Sequence, residues 1–553
     1  MLDVLEGLTP ADLGFDPEQF PDFRQLQLEG IEQAVYGEQR VQALCMPTGC
    51  GKTLLASAVH KLTGWRTAMI TPLKGHQDQM AAQFSKVGLC DIRGKTNYQC
   101  QDQANLTCRD GQKIGCRYFA RDSSSSCVYD QVKRKAKNNP WVAANFSYWL
   151  NVNDKANGIE RSEKEGRPNP FECLIVDEAH LAPNILADYL AVYIYEKELK
   201  EMLGVDGLQS DSIQEWKRFA AEQHREADIQ LENMERILLT RGSRASKKEL
   251  EHAARLESLV DKLEKIKDTN EKDWVCEYRE GGRYGRSWEF EVIWPGLYAE
   301  QYLFVGIPRV ILMSATLRPK TLGLLGVKKE NYDFREWPRV FPAGRNPLYY
   351  YPVKGEDGKV IRLNYKSDDT DLRAMVEWID QILDQRMDRK GIVHTVSYSR
   401  QTYLMEHSRH RNRMMGNTAD PESGTASDIC EAFKRMQDNA VLVSPSFGTG
   451  WDFPGSTCEF IIAPKIPFPN GKSKVMKARK DRDESYLNYI AMQELVQGAG
   501  RGMRSADDRC EFFLLDGGWN WFVGQNRSLA PRWFADSVKT VNGVPEAPEK
   551  LRR

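Results

Sequence analysis

The sequence lacks a long apolar run, a secretory leader and an excess of charge of either sign. Its 553 residues include 77 basic and 78 acidic side chains, so the formal net charge is −1. No apolar stretch approaches the roughly 18 residues of a membrane span, and the acidic N-terminal segment has neither the basic front nor the apolar core of a signal peptide. We therefore expect a cytoplasmic protein without a membrane partner. A nucleic-acid binder needs only local positive charge, so this balance excludes no such function.

Of the 12 cysteines in the chain, four form a group that contains no closely spaced pair. This group is Cys100, Cys108, Cys116 and Cys127, with seven, seven and ten residues between its members. In a reducing cytosol such grouping favours a metal over disulfides. Structural zinc sites favour pairs two to four residues apart, and four thiolates also hold a [4Fe–4S] cluster. Spacing alone leaves zinc and iron–sulfur open.

The chain is too long for one hydrophobic core, since single cores stop growing near about 250–300 residues. Short apolar runs alternate with helical stretches, which predicts parallel sheets covered on both faces; two such series predict an α/β fold with two lobes. The predicted strands are Gln42–Met46, Thr67–Ile70, Cys173–Val176 and Val310–Met313 in the first lobe, and Gly391–Thr395, Val441–Val443, Phe460–Ile462 and Phe512–Leu515 in the second.

Two insertions interrupt the first lobe. Residues 96–137 are polar and carry the grouped cysteines, whereas residues 184–293 are strongly charged. In the second insertion, two apolar stripes at helical spacing predict a helical hairpin, and Ser246 with Glu249 forms the capping box of its second helix. Alternating apolar residues around Gly281 then predict a β-hairpin. The predicted first lobe therefore comprises residues 1–95, 138–183 and 294–330, and the predicted second lobe comprises residues 331–553.

The segment MPTGCGKT follows a predicted strand and precedes an apolar helix, as a phosphate-binding loop does. Small residues let backbone N–H groups face a β-phosphate, Lys52 adds positive charge, and the Thr53 hydroxyl can bind Mg²⁺. Because Met46 stands where the full pattern has glycine, a glycine-rich turn without nucleotide is the alternative. The predicted ATP-binding residues of this loop are Pro47, Thr48, Gly49, Cys50, Gly51, Lys52 and Thr53.

An acidic motif, DEAH, directly follows the predicted strand at 173–176. Asp177 can hold Mg²⁺, and Glu178 can orient or deprotonate the attacking water. In the second lobe, QGAGRGMR places Arg501 and Arg504 three apart on one helix face, where they can stabilise charge on a γ-phosphate. A solvated basic helix is the alternative for this segment. Together these motifs predict ATP hydrolysis.

The order PTGCGKT, TPLKGHQDQ, DEAH, SAT, SPSFGTGWDFPG and QGAGRGMR resembles that of superfamily 2 helicases. The four cysteines between the first and third motifs, with GKTNYQC, ANFSYW and PKIPFP, are similar to the iron–sulfur XPD/DinG-like branch, and the short insertions suggest a phage-encoded member. The resemblance covers about residues 20–520. It implies two RecA-like lobes, a helical arch insertion, and an ATP- and Mg²⁺-dependent DNA helicase that moves 5′→3′ on single-stranded DNA.

The resemblance also implies roles for single residues. A [4Fe–4S] cluster would be held by Cys100, Cys108, Cys116 and Cys127. Further nucleotide contacts would come from Arg24, Gln27, Gly450, Asp452 and Gln497. Coupling of hydrolysis to strand movement would involve His180, Ser314 and Thr316. The arch would guide the strand, although an insertion with a solvated charged face is the alternative reading of that segment.

Single strands bind in positive grooves with aromatic faces for stacking, and two basic stretches are candidates. The residues singled out as DNA contacts are Lys133, Arg134, Asn145, Tyr148, Thr395 and Lys474. For each basic stretch a solvated face is the alternative, and the aromatic side chains could equally belong to the core.

We expect a monomeric helicase that acts on single-stranded and forked DNA. No motif in the sequence distinguishes RNA from DNA by its 2′-hydroxyl, so a helicase that acts on RNA or RNA–DNA hybrids is the alternative. A clamp that uses ATP without unwinding is the alternative from another class, against which the hydrolytic residues Glu178, Arg501 and Arg504 argue. We expect no fused nuclease domain.

Overall fold

Two seven-stranded parallel sheets organise the chain. The structure, a computed structural model, describes residues 5–120, 124–155, 171–281, 285–417, 425–436, 439–445, 453, 455–503 and 507–549. The fold class is therefore the predicted one, an α/β protein with two RecA-like lobes. No described helix has the length and apolar character needed to cross a membrane.

The first sheet belongs to lobe 1, and its strand order is β10-β1-β9-β5-β2-β4-β3. Its strands are β1 (Val41–Cys45), β2 (Thr67–Thr71), β3 (Cys90–Asp91), β4 (Trp141–Asn145), β5 (Cys173–Val176), β9 (Arg309–Ser314) and β10 (Tyr332–Glu336). The central strands β1, β2, β4 and β5 are buried throughout, which is why they appear as continuous apolar runs in the sequence. The helices of lobe 1 are α1 (Gln25–Tyr36), α2 (Lys52–Thr63), α3 (Lys74–Phe84), α6 (Phe146–Lys155), α7 (Ala182–Leu190) and α11 (Pro319–Leu324).

One domain boundary differs from the prediction. Strand β10 pairs in parallel with β1, so residues 332–336 complete the sheet of lobe 1. The boundary predicted at residue 331 therefore lies one strand too early. The physical reason is that this edge strand is only half-buried and carries charged residues, so it lacks the apolar run by which the other strands are recognised.

The second sheet belongs to lobe 2, and its strand order is β13-β14-β12-β15-β16-β11-β17. Its strands are β11 (Leu348–Tyr350), β12 (Gly391–His394), β13 (Met414–Met415), β14 (Val441–Ser444), β15 (Phe460–Ala463), β16 (Glu511–Leu514) and β17 (Val538–Thr540). The helices are α12 (Asp369–Asp384), α13 (Tyr398–His407), α14 (Ala426–Arg435), α15 (Lys474–Arg482), α16 (Tyr486–Gly500), α17 (Trp519–Asn526) and α18 (Arg532–Ala535). All of its described pairings are parallel, so the carboxyl ends of these strands share one edge.

The arch insertion contains the predicted helical hairpin and β-hairpin. Its helices are α8 (Glu196–Leu203), α9 (Ile213–Arg241) and α10 (Lys247–Asp268), and its antiparallel sheet consists of β6 (Val192–Tyr195), β7 (Trp274–Arg279) and β8 (Ser287–Val292). The Ser246 side chain accepts from the amide of Glu249, and the Glu249 side chain caps Ser246 in return, so the predicted capping box is present. Leu256, Leu259 and Leu263 of α10 are fully buried against the hairpin partner, as their spacing predicts.

The cysteine insertion, residues 96–137, holds the helices α4 (Cys108–Lys113) and α5 (Val128–Asn138) and rests against the arch. Ile114 joins a small apolar cluster with Leu238 and Leu250 of the arch. Glu257 of α10 accepts from Arg109 at 2.7 Å and from Lys113 at 2.6 Å. Together the apolar contact and the ion pairs dock the insertion against the arch.

The arch also bonds to lobe 2 through helix α15. The guanidinium of Arg479, a buried residue, donates to the carbonyl of Val292 at 2.9 Å and to that of Ile293 at 3.1 Å. The backbone amide of Lys474 donates to Glu277 at 3.0 Å, and its ammonium pairs with Asp211. The arch is thus inserted in lobe 1 by sequence and hydrogen-bonded to lobe 2.

Candidate nucleotide site and cysteine centre

The MPTGCGKT segment forms a tight loop between β1 and α2. Gly49 and Gly51 have φ angles of 73° and 81°, which glycine adopts without strain. A side chain at Gly51 would also collide with the amide of Gln27. The loop ends with Lys52 as the first residue of α2, so backbone N–H groups at a helix N-terminus face the place where a phosphate would bind.

Arg24 and Gln27 contact this loop directly. The Arg24 guanidinium donates to the carbonyl of Gly49 at 2.5 Å, and the Gln27 amide donates to the carbonyl of Gly51 at 3.2 Å. The Gln27 side chain also accepts from the Arg24 backbone amide at 2.7 Å. These two residues, expected from the resemblance to contact the nucleotide, therefore lie beside the phosphate-binding loop.

The acidic pair of the DEAH motif follows β5 at the same edge of the sheet. Burial, and next the charge of Glu178, raises the pKa of Asp177, whereas Lys52 and His76 act in the opposite direction. His76 Nδ1 lies 3.9 Å from Asp177 Oδ2. Asp177 Oδ1 is buried and has no hydrogen-bond partner among the described residues. An orphaned carboxylate oxygen near a lysine and a phosphate-binding loop fits a Mg²⁺ ligand.

Glu178 has a strained backbone and a fixed side chain. Its φ of 48° is uncommon for a residue with a side chain. Its carboxylate accepts from the Ser314 hydroxyl at 3.2 Å and lies 3.4 Å from His180 Nδ1. Strain of this kind clusters at functional sites, and here it directs the carboxylate of the predicted water-orienting residue.

A hydrogen-bond chain continues from this glutamate to lobe 2. His180 Nδ1 lies 2.7 Å from Ser314 Oγ, and Ser314 Oγ lies 3.5 Å from Thr316 Oγ1. The amide of Gln497, on α16, donates to Thr316 Oγ1 at 2.8 Å. The three residues predicted to couple hydrolysis to movement therefore lie together, and the chain crosses from one lobe to the other.

Arg501 lies at the C-terminal end of α16 and lines a cavity of about 190 Å³ between the lobes, together with His180 and Gln497. Burial lowers the pKa of Arg501 to about 10, while the charges of Glu494 and Glu178 act in the opposite direction. The guanidinium thus stays protonated and lies within electrostatic reach of the DEAH glutamate. Three predicted site residues, Arg504, Gly450 and Asp452, lie outside the described residues.

Three residues of the site were not predicted: His76 beside Asp177, Glu494 in the lining of the cavity, and His394 beside Glu494. Glu494 Oε1 lies 3.4 Å from His394 Nε2. Burial raises the pKa of Glu494 to about 7, and burial lowers the pKa of His394 to about 3. The one available signal was that Glu494 precedes Arg501 by two helical turns and so shares its helix face.

The four grouped cysteines are all buried. Burial is the largest cause that raises the pKa of Cys108, to about 11, and the nearby Cys127 and Cys100 thiols contribute. Burial likewise raises the pKa of Cys116, with a contribution from Cys100. A side chain at Gly111 would collide with the Cys100 thiol, so glycine keeps space beside the sulfur.

These thiols fit a metal centre in type, number and burial. Neutral thiols are favoured while no cation is near, and a bound metal would reverse that preference by coordinating thiolates. Within the described ranges, however, no group of three or more histidine, cysteine or acidic side chains is arranged closely enough to hold a metal ion. The donor set is therefore present, and the assembled ligand geometry is not shown.

The predicted DNA contacts have different placements. Tyr148, Asn145 and Thr395 are buried. Asn145 donates to Gln77 at 3.2 Å and accepts from the Tyr148 amide at 2.8 Å, so both belong to the packing of lobe 1. This burial favours the core alternative for the three residues. Lys133 and Arg134 lie half-buried on α5, and Lys474 contacts the arch as described above.

Comparison with known proteins finds two matching family models, one in each half of the chain. A model of the helicase C-terminal domain matches residues 381–536, and a model of the type III restriction enzyme res subunit matches residues 21–202. No curated protein sequence matches the chain.

Solved structures share the fold of the whole chain. A structure titled XPD helicase is 16% identical, covers 94% of this chain and 99% of its own, and has a TM-score of 0.62. A structure titled XPD apo is 15% identical, with coverage of 94% and 100% and a TM-score of 0.60. The Xpd4 protein of S. tokodaii is 14% identical, with coverage of 94% and 100% and a TM-score of 0.54. At these identities the likeness concerns the fold.

The motifs, their geometry and the two matching families define an ATP-driven nucleic-acid helicase. The chain matches a helicase family model over residues 381–536 and has the fold of the structures titled XPD. None of these likenesses supports the expected phage origin.

Proposed function

We propose that the chain is an ATP- and Mg²⁺-dependent DNA helicase that moves 5′→3′ along single-stranded DNA and opens forked duplexes as a monomer. The observation that carries the proposal is the hydrogen-bond chain from Glu178 through Ser314 and Thr316 to Gln497. This chain joins the hydrolytic carboxylate of lobe 1 to the arginine-bearing helix of lobe 2. The choice of DNA and the direction of movement rest on the motif resemblance.

In the proposed mechanism, the loop amides and Lys52 bind the ATP phosphates, while Asp177 and Thr53 hold Mg²⁺. Glu178 orients the attacking water, and Arg501 moves onto the γ-phosphate as the cleft closes. Since Gln497 and Arg501 lie on the same helix, closure shifts both at once. Hydrolysis removes the γ-phosphate that favours closure, so the lobes separate and the strand advances.

The proposal includes a [4Fe–4S] cluster held by Cys100, Cys108, Cys116 and Cys127. When bound, the cluster would supply iron–thiolate bonds that tie the insertion together. Support comes from the burial of the thiols, their mutual effect on pKa and the space beside Gly111. Four thiolates also suit zinc, so iron, sulfide and zinc analysis of the anaerobically purified protein decides between the two metals.

The test of the helicase proposal is strand separation by anaerobically purified protein with ATP and Mg²⁺. The duplexes carry a 5′ or a 3′ single-stranded tail and are made of DNA, of RNA or as hybrids. We expect opening of the 5′-tailed DNA duplex only. Preferential opening of RNA or hybrids would contradict the DNA substrate, and opening of 3′-tailed DNA would contradict the direction. Stimulated ATP hydrolysis without opening of any duplex would favour a clamp.

A further inference from the structure

Two aromatic side chains are unusually exposed on lobe 2. Tyr365 is 83% exposed, more than any other large apolar side chain of the described residues, and Trp521 is 56% exposed. Phe468, also in lobe 2, is 36% exposed and packs edge-on against Phe522, the residue after Trp521. Exposing this much aromatic surface costs hydration free energy, and clustered exposed aromatics mark interaction sites.

Cations accompany both exposed rings. The ammonium groups of Lys366 and Lys472 lie 5.6 and 5.9 Å from the centre of the Tyr365 ring. The Arg362 guanidinium lies 6.0 Å from the Trp521 ring. Among the described residues, none of these three cations has a carboxylate within ion-pair distance, although Arg362 lies near enough to Asp516 to oppose the rise that burial causes in the pKa of that carboxyl.

The loop that carries Tyr365 is fixed to the rest of lobe 2. The Asn364 carbonyl accepts from Arg400 at 3.0 Å, and Arg400 donates to Ser397 Oγ at 3.2 Å. The amide of Gly517 donates to the Ile361 carbonyl at 3.0 Å, and any side chain at Gly517 would collide with that carbonyl. A loop whose backbone is already fixed loses less conformational entropy when it binds a ligand.

The aromatic residues and the cations come from the same edge of the sheet. Tyr365, Lys472 and Trp521 follow the carboxyl ends of β11, β15 and β16, which are parallel neighbours. Open parallel sheets bind ligands at this edge. The carbonyl of Ala499, two residues before Arg501, accepts from Asn346, which precedes β11. Arg501 therefore lies toward the opposite edge of the sheet. The aromatic surface is thus separate from the nucleotide site.

We propose that Tyr365 and Trp521, with Arg362, Lys366 and Lys472, form a stacking surface for single-stranded nucleic acid. The rings stack on bases, and the cations neutralise the phosphates on either side. Exposed rings accompanied by cations that have no carboxylate partner among the described residues suit a strand that presents flat bases and negatively charged phosphates. This inference rests on the proposed function and adds contact residues that the motifs do not contain.

The test measures the affinity for a fluorescent oligo(dT) strand of about 20 nucleotides, long enough for one binding site. We expect the double variant Tyr365→Ala, Trp521→Ala to bind about tenfold or more weakly, as loss of two stacked bases predicts. The conservative Tyr365→Phe should keep the parent affinity. Exposed Tyr36, on α1 of lobe 1, provides the matched control as Tyr36→Ala, which should bind like the parent.

Two further measurements separate stacking from charge. An abasic strand offers no base to stack, so the double variant and the parent should bind it equally. Replacing Arg362 and Lys472 by glutamine should lower the slope of log affinity against log salt by about 0.7 per removed charge. The matched control for charge is Lys247→Gln in the arch, whose side chain is 89% exposed.

The outcomes distinguish this inference from the proposed function. If the parent protein binds no nucleic acid, the proposed function fails. If the parent binds and the double variant matches it, the stacking surface is wrong while the proposed function stands. An equal loss of affinity for the abasic strand would also overturn the inference, because the rings would then act otherwise than by stacking. Melting curves of the variants check that they are folded.

Discussion

The nucleotide site and the cysteine centre differ in what holds their side chains together. In the nucleotide site, Glu178, Ser314 and Gln497 belong to a hydrogen-bond chain that the protein completes by itself. In the cysteine centre, the pKa of Cys108 is raised to about 11 by burial and by neighbouring thiols. The fold therefore determines the first site, whereas the second contains donors whose ionised form needs a cation.

The largest effect is expected from Lys52→Ala, which removes the positive charge of the phosphate-binding loop. ATP hydrolysis should fall by at least about a hundredfold, since a preorganised charge aimed at the transition state is worth that much. Steady-state phosphate release measures the loss. The exposed Lys86 provides the control as Lys86→Ala. Near-normal turnover in the Lys52 variant would remove the basis for the ATP site.

Next, Cys116→Ser tests whether the cysteine centre depends on a bound group. Iron content and visible absorbance should be lost, and unwinding should fall by more than about tenfold, the loss usual even for outer-shell partners of a metal. Cys276→Ala removes a buried thiol from β7 and serves as the control. Zinc without iron in the parent protein would show that the centre is a zinc site and not an iron–sulfur cluster. Undiminished unwinding without metal would leave the centre without a role.

A smaller effect is expected from Gln497→Ala, which breaks the one hydrogen bond described between Gln497 and Thr316. Stimulation of ATP hydrolysis by nucleic acid should fall about fivefold, because a neutral hydrogen bond contributes about 1 kcal/mol. Thr316→Val should have the same effect. A double-mutant cycle checks the link, since the double variant should be no worse than either single variant. Additive losses would show that the two side chains act separately.

The smallest effect concerns the pH dependence of stability. The pKa of Glu494 is raised from 4.5 to about 7, so the folded protein holds a proton that the unfolded chain releases. This contribution is fully present below pH 4.5 and is lost as the pH rises through about 7. His394 acts in the opposite sense, because its pKa is lowered from 6.5 to about 3 and its contribution is lost as the pH falls below 6.5.

Glu494→Gln should therefore remove the loss of stability toward neutral pH and leave the contribution of His394. Between about pH 5 and pH 8 the fall in melting temperature should be smaller than in the parent by about 2 °C. Arg501 and His180 face the same cavity and are unchanged in this variant. The exposed Glu484 supplies the control as Glu484→Gln. An unaltered pH profile in Glu494→Gln would contradict the role of this carboxyl.

Much of the fold could be predicted because its central strands are buried on both faces. Each of the eight predicted strands overlaps a strand of the structure, as Cys173–Val176 does in full. Strand β10 was missed because an edge strand such as YDFRE shows no apolar run. Strand β4, WVAAN, is not among the predicted strands either, although it is buried throughout.

Less of the candidate site could be predicted, because motif spacing does not specify contacts between distant segments. The contacts of His180 with Ser314 and of Thr316 with Gln497 join residues 134 and 181 positions apart in the chain. The contact between Arg24 and the Gly49 carbonyl depends on how α1 packs against α2, which no local pattern encodes. For Glu494, burial arises only when α16 meets the segment after the DEAH motif.

The bonds from Arg479 to the carbonyls of Val292 and Ile293 have a mechanical consequence. The arch is a covalent part of lobe 1, yet its last strand is tethered to lobe 2. Any displacement between the lobes during the ATPase cycle must therefore either drag the arch along or rupture these bonds. The arch is therefore a second connection between the lobes, beside the nucleotide cleft. Part of the free energy of ATP hydrolysis is then spent on deforming this connection.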